Sequence, residues 1–298
     1  MPRGAPARWL LWTYAAVLNI IWAASYPVSK LVMAGVPPLG LTAWRTVVSA
    51  LLLLPLARRI PRGRDLPRDA ALIAVMGSVG FAAATALQFL GTARTAAANV
   101  SLITGLEPLT VALLAAVLIR ESLTPRAVGA FLLALAGVAL ITVDPGSVEL
   151  GASRHLAGNL LMLGSLVCYS VYTIIGRVLA PRWEACTLTA LSFCAAALAF
   201  IPAFALLDPG GFARSWHLTR AQAPGIAFLT IFATALGYVG WNWLLKWLPA
   251  SELSFSIYLQ PVAGAALSWW ILGEPLSGMY FMGAALVMGA LVLSDRKC

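Results

Sequence analysis

The sequence predicts an all-α membrane protein of ten transmembrane helices, arranged as two inverted five-helix repeats around a central cavity. Three observations predict it. Apolar residues make up 61% of the chain and charged residues only 10%, where a soluble domain carries roughly 25% charged residues. Ten stretches are apolar over the length a crossing needs, ~20 residues per helix. And one stretch occurs twice, as Asn99-Val-Ser-Leu-Ile-Thr-Gly-Leu-Glu107-Pro108 and as Glu252-Leu-Ser-Phe-Ser-Ile-Tyr-Leu-Gln260-Pro261.

In chain order the stretches are residues 9–32, 39–56, 70–90, 96–119, 126–143, 156–179, 186–207, 223–245, 251–272 and 279–293. Turns bearing proline and glycine separate several of them, among them Gly35-Val-Pro-Pro-Leu-Gly40, Asp144-Pro-Gly and Asp208-Pro-Gly-Gly211. Proline cannot continue a helix, and glycine takes the tight turns. The polar segments 58–69, 144–155 and 208–222 are too short to fold alone. The first stretch follows Arg3 and Arg8 as a secretory leader would. It is too long for one and leads into further spans, so it reads as the first helix.

The basic residues set the orientation. With the N-terminus inside, Arg3, Arg8, Arg58, Arg59, Arg62, Arg64, Arg68, Arg120, Arg126, Arg177, Arg182, Lys246, Arg296 and Lys297 are cytoplasmic, and Lys30, Arg94, Arg154, Arg214 and Arg220 are outside. That is 14 against 5, with Arg45 left inside a span, so both termini are expected in the cytoplasm. The net charge of +9 thus serves topology and contact with anionic lipid rather than nucleic acid. The four cysteines, Cys168, Cys186, Cys194 and Cys298, have no metal or redox spacing, and His155 and His217 fall in loops. No metal and no cofactor are expected.

Five spans per unit, residues 1–144 and 156–298, force the second unit to insert upside down relative to the first. Placing Pro108 over Pro261 also places Ser101 over Ser254, Leu106 over Leu259, Glu121 over Glu274 and Leu123 over Leu276. Helices 1 and 6 match more weakly: Lys30 follows Trp22 by eight residues, as Arg177 follows Tyr169. A proline inside a span removes a backbone donor and strains the preceding turn, so helices 4 and 9 should be kinked or locally opened at Pro108 and Pro261. Hydrocarbon tolerates such a break only where protein or a water-filled cavity covers the freed carbonyls. Matched broken helices in two halves point to a transport site, with the two prolines as hinges.

Glu107 lies about eleven residues into its span, ~16 Å deep at 1.5 Å per residue. A carboxylate there is costly and a functional candidate. It could contact a substrate amine or couple protons, or it could simply tie helix 4 to a neighbour. Gln260, its counterpart, is neutral. Arg45 could clamp a substrate carboxylate, although the commoner role of an arginine so placed is structural. Polar and aromatic residues mark the remaining candidates for substrate contact: Trp22, Ser25, Tyr26, Gln88, Asn99, Ser101, Tyr169, Tyr172, Tyr238, Trp241 and Tyr258. An amphipathic substrate wants aromatic walls with a few hydroxyl and amide groups. Trp9, Trp12, Trp216, Trp243 and Trp247 read instead as interfacial anchors. Ala130, Ala134 and Gly137, with Ala285 and Gly289, give helices 5 and 10 small faces for close packing. Glu121 and Glu274 end helices 4 and 9, as caps or as gate contacts.

The run Ala-Ala-Asn99-Val-Ser-Leu-Ile, Glu107-Pro108 and Arg120-Glu121-Ser-Leu-Thr resembles the EamA-type repeat of the drug/metabolite transporter superfamily. So does Leu248-Pro-Ala-Ser-Glu-Leu-Ser, Gln260-Pro261 and Gly273-Glu274-Pro-Leu-Ser. Trp22, Ser25 and Arg45 fit as well, and the resemblance covers essentially the whole chain. It implies a monomeric carrier whose cavity is lined mainly by helices 1, 3, 4, 6, 8 and 9. Many such carriers export amino acids, aromatic ones among them, and related metabolites. Glu107 departs from the pattern, standing where an uncharged residue is expected.

These readings converge on an exporter in the bacterial cytoplasmic membrane, working by alternating access on amino acids or related small metabolites. A multidrug or nucleotide-sugar carrier on the same fold is the nearest alternative, and a channel is another. A membrane enzyme is disfavoured because no in-membrane nucleophile, histidine pair or metal cluster stands out in the sequence.

Overall fold

The computed structural model describes residues 6–58, 60–61, 65–119, 125, 129, 132–133, 136–137, 140, 152–248, 253 and 255–295. Among these residues every regular element is helical. The fifth predicted stretch falls largely outside them, as do Glu121, Leu123, Ala130, Ala134, the 144–147 turn, Glu252, Ser254 and Cys298.

Among the described residues six helices are long and apolar enough to cross a membrane: α1 (Arg8–Met33), α2 (Pro38–Leu56, its last turn tightened), α3 (Leu66–Thr92), α6 (Leu156–Leu179 of a helix beginning at Ala152), α7 (Ala185–Leu207) and α9 (Ala223–Trp247). The short α8 (Pro209–Ser215) links α7 to α9, with the Asp208 carboxylate capping its Gly211 N–H at 2.8 Å.

The two proline-bearing stretches differ from the other spans because each is interrupted. The first is split into α4 (Ala97–Thr104) and α5 (Glu107–Ile119), with a turn at Gly105–Leu106. There the backbone tightens: the Gly105 N–H reaches Leu102 O at 3.0 Å and the Leu106 N–H reaches Ile103 O at 2.9 Å. Pro108 then sits in the first turn of α5, where its missing N–H costs nothing. The second copy has a 3₁₀ turn over Phe255–Tyr258 followed by α10 (Leu259–Leu272), with Pro261 in the first turn. The breaks meet, since a Cβ on Gly105 would lie 2.8 Å from Pro261 Cγ. The last helix, α11 (Gly278–Asp295), takes Gly137 against the Gly283 carbonyl, where a Cβ would come within 2.7 Å. That part of the small-residue packing face is realised at Gly283 rather than at Gly289, which has open space around it.

A second matched feature was not legible as a motif. α3 widens to π-helical turns over Met76–Ala83, and α9 does so over Phe228–Leu236. The offset that carries Pro108 onto Pro261 carries the first of these segments into the second. Wide turns misalign the i→i−4 ladder and leave carbonyls to be satisfied by other groups. In α9 the Thr234 hydroxyl bonds Leu229 O at 2.6 Å, Ser49 from α2 donates to Thr230 O at 3.0 Å, and Trp22 from α1 donates to Ala233 O at 2.8 Å.

The halves are interleaved. α1 and α4 both pack along α10, α3 packs along α6 and α7, and α2 packs along α7 and α9. Near the predicted cytoplasmic end, buried Asp69 receives Arg182 Nη2 at 2.8 Å and Trp183 Nε1 at 2.8 Å, while Asp65 takes Arg182 Nη1 at 3.0 Å. Hydrogen bonds to a buried charge are worth about 2 kcal/mol each. Asp69→Ala should therefore lower the melting temperature in detergent by several degrees, at roughly 2–4 °C per kcal/mol. Asp65→Ala, on the exposed side of the same arginine, should leave it nearly unchanged.

Candidate functional site

Eight helices converge on one cavity. α1 supplies Trp22, Ser25 and Tyr26; α2 supplies Arg45; α3 supplies Gln88; and the α4–α5 break supplies Thr104 and Glu107. α6 adds Tyr169, Tyr172 and Thr173, α9 adds Tyr238 and Trp241, and α10 adds Gln260. The cavity is small in this conformation, ≈ 50 Å³, room for a few waters and well below the roughly 300–1,000 Å³ of ligand-filled pockets.

Ring packing and hydrogen bonds make the walls rigid. Tyr238 stands edge-on to Tyr172 and to Phe81, each at 5.0 Å between centroids, and Trp22 packs on Trp241 at 5.3 Å. Tyr172 OH is held by Asn242 Nδ2 at 2.9 Å. Tyr169 OH donates to Gln88 Oε1 at 2.8 Å and lies 3.1 Å from the Thr85 hydroxyl, tying α6 to α3. Trp22 and Tyr169, paired by the helix 1–helix 6 comparison, thus each bond the wide-turn helix of the opposite half. Across the cavity Tyr26 donates to Gln260 Oε1, and Gln260 Nε2 donates to Asn19 Oδ1 at 2.7 Å. Asn19 continues the chain to Ser256 Oγ at 2.8 Å.

Two ionisable side chains other than tyrosine face this cavity. Arg45 is 3% exposed, and its Nε donates to Thr234 Oγ1. Its guanidinium carbon lies 5.4 Å from the Phe89 centroid and 5.9 Å from that of Phe81. Aromatic faces hold a guanidinium in place while leaving its outer N–H edge free to bond. Glu107, the first residue of α5, lines the same cavity. Among the described residues no carboxylate lies within 4.0 Å of Arg45, and Glu107 has neither a hydrogen bond nor an ion pair.

At the opposite end of α1, Glu274 joins three helices. Its carboxylate accepts from Lys30 Nζ at 2.9 Å and caps the start of α4, taking the Ala97 N–H at 3.0 Å and the Ala98 N–H at 3.1 Å. An anion at a helix N-terminus is favoured by the macrodipole and by the unsatisfied N–H groups there.

Ten of the residues named as substrate contacts line the cavity: Trp22, Ser25, Tyr26, Gln88, Glu107, Tyr169, Tyr172, Tyr238, Trp241 and Gln260. Three do not. Asn99 bonds Thr95 Oγ1 at 3.3 Å. Ser101 bonds Ala98 O at 2.8 Å and packs so closely on Gly264 that a Cβ there would lie 2.4 Å away. Tyr258 packs on the apolar cluster around Leu102, Ile103 and Leu106. Arg45, Thr104 and Thr173 complete the lining instead. The threonines carried a usable signal, since Thr104 precedes Glu107 by one helical turn and Thr173 follows Tyr169 by one. The prolines sit at the breaks, with Pro261 against Gly105. No group of three or more potential metal ligands occurs among the described residues.

A helical bundle with spanning segments, paired interrupted helices and a polar chamber between them defines a membrane transporter. The model of the EamA-like transporter family matches residues 8–143 and again 156–294, so the chain belongs to that family. A "Probable terminal-alkyne amino-acid exporter" of Streptantibioticus cattleyicolor is 26% identical, over 95% of this chain and 93% of its own length. An "S-adenosylmethionine/S-adenosylhomocysteine transporter" of Chlamydia trachomatis is 26% identical over 93% and 86%. An uncharacterized transporter of Archaeoglobus fulgidus is also 26% identical, over 95% and 96%. A solved crystal structure covering 96% of this chain and 95% of its own superposes with a TM-score of 0.64 at 21% identity, a likeness of fold.

Proposed function

We propose that this protein exports amino acids, or small metabolites bearing an amino-acid head group, across the bacterial cytoplasmic membrane by alternating access between two inverted halves. The observation that carries the reading is the placement of the Arg45 guanidinium and the Glu107 carboxyl group in one aromatic chamber, unpaired with each other. A buried charge without a partner costs several kcal/mol. A zwitterion supplies both partners at once: its carboxylate meets Arg45, its ammonium meets Glu107, and its side chain lies on Trp22, Tyr172, Tyr238 and Trp241. Both named relatives are described as handling molecules that carry this head group.

The small cavity and the Lys30–Glu274–α4 contact fit a state closed at the outer end, which a substrate must expand. Glu274→Gln keeps the cap's oxygen but loses the charge. It should shift the closed–open balance at the outer mouth about tenfold, a charge-assisted hydrogen bond being worth about 1.5–3 kcal/mol. Outside labelling of Ser25→Cys by an impermeant thiol reagent, with the native cysteines replaced, measures that shift.

The reading itself is tested by counterflow of labelled neutral L-amino acids into proteoliposomes. L-Phenylalanine should exchange and saturate, whereas 2-phenylethylamine and 3-phenylpropionate, each lacking one end of the zwitterion, should compete at least tenfold more weakly. Equal competition by all three would overturn it.

A further inference from the structure

We propose that Glu107 is a shared seat for a proton and for the substrate's ammonium group, so that the carrier exchanges one amino acid for one proton. The inference rests on the amino-acid reading above and adds the coupling. When the cavity is empty, an ionised Glu107 would be a buried anion with no bonded partner among the described residues, a state a carboxyl group avoids by holding a proton. Arg45 does not relieve it, being held by Thr234 and by the rings of Phe81 and Phe89 and lying beyond ion-pair distance.

The other titratable groups lining the cavity, besides Arg45, are Tyr26, Tyr169, Tyr172 and Tyr238, and Tyr258 lies on the turn packed against α5. Tyrosines stay neutral where a carboxyl group changes state, so Arg45 is the one fixed charge at the site. Gln260, in the register-equivalent position, is neutral and already bonded to Tyr26 and Asn19. The cavity therefore holds one exchangeable proton. Glu107 also opens α5, whose N-terminal dipole favours the anion once an ammonium is at hand.

The step balances. As the ammonium arrives, the Glu107 O–H bond breaks, the proton leaves to water in the open mouth, and the carboxylate pairs with R–NH₃⁺. On the far side a proton from that water rebinds as the amino acid departs. The substrate is a neutral zwitterion, so each exchange moves one positive charge inward for each molecule exported.

The test uses the full-length chain in proteoliposomes, with labelled L-phenylalanine and the other neutral L-amino acids as probes. At equal pH, counterflow reports the carrier alone. With an imposed pH gradient, the wild type should accumulate substrate on the acidic side about tenfold per pH unit, the factor for one proton, and an inward-positive potential should alter the rate. Glu107→Gln should slow counterflow yet abolish accumulation and potential dependence, while Glu107→Asp should keep both. Counterflow in the wild type without pH-driven accumulation would overturn the exchange and leave the amino-acid reading standing, as would undiminished accumulation by Glu107→Gln. Absence of counterflow with every amino acid would overturn both. The wild-type arms need no variant to fold.

Discussion

Arg45→Gln should weaken amino-acid binding on the order of 100-fold while leaving the protein folded. Its guanidinium is already supported on two sides: Thr234 takes Nε, and Phe81 and Phe89 flank the carbon. Glutamine can keep one polar contact in a chamber that admits water, so the fold tolerates the change. What it cannot keep is a fixed positive charge opposite a desolvated carboxylate. Losing one member of a buried, hydrogen-bonded charge pair costs about 2–5 kcal/mol, and each 1.4 kcal/mol is tenfold in affinity. Arg45→Lys restores the charge without the planar fork and should recover part of the loss. Binding measured by calorimetry in detergent decides it. Equal affinity in Arg45→Gln and wild type would return Arg45 to the structural role that its sequence position favoured.

The second large effect is expected at the breaks. In a continuous helix the residue-108 N–H would bond Thr104 O, and the residue-261 N–H would bond Ile257 O. Proline forbids both bonds, and against alanine in a helix interior it costs about 3 kcal/mol. Alanine at either position lets the two helical pieces fuse and removes the yielding point beside the cavity. Pro108→Ala and Pro261→Ala should each slow counterflow roughly tenfold, with unchanged or raised melting temperature, and the double variant should be slower still. Gly105 packs against Pro261, so motion at one break is felt at the other. Unchanged rates in both single variants would dismiss the hinges.

Much of the site could be read before any coordinates, because the residues that face a hollow in a membrane protein are chemically conspicuous there. Trp22, Tyr169, Tyr238 and Gln260 stood out as polar or aromatic groups at mid-span, where most outward-facing positions are aliphatic. Two of the three candidates that lie away from the cavity share one cause. Asn99 and Ser101 are polar and lie in a span, yet each is satisfied within one turn of chain, Asn99 by Thr95 Oγ1 just before α4 and Ser101 by Ala98 O inside it. Hydroxyl and amide groups satisfied by their own helix are inexpensive in an apolar interior, so polarity alone does not separate a lining residue from a packing one. Thr104 uses the same kind of bond, to Val100 O at 2.9 Å, and still reaches the cavity. The angle around the helix decides, and that angle is set by the partners α10 and α6.

Composition, span length and the doubled proline stretch are local or periodic properties. They were enough to specify a helical membrane protein with two interrupted segments, since a bilayer leaves an apolar backbone few ways to satisfy its own hydrogen bonds. The wide turns in α3 and α9, the contact between Gly105 and Pro261, and the isolation of Arg45 from Glu107 arise from how distant segments meet. Their side chains and carbonyls are satisfied, or left facing the chamber, by groups far away in the chain, and only the packed tertiary structure decides which.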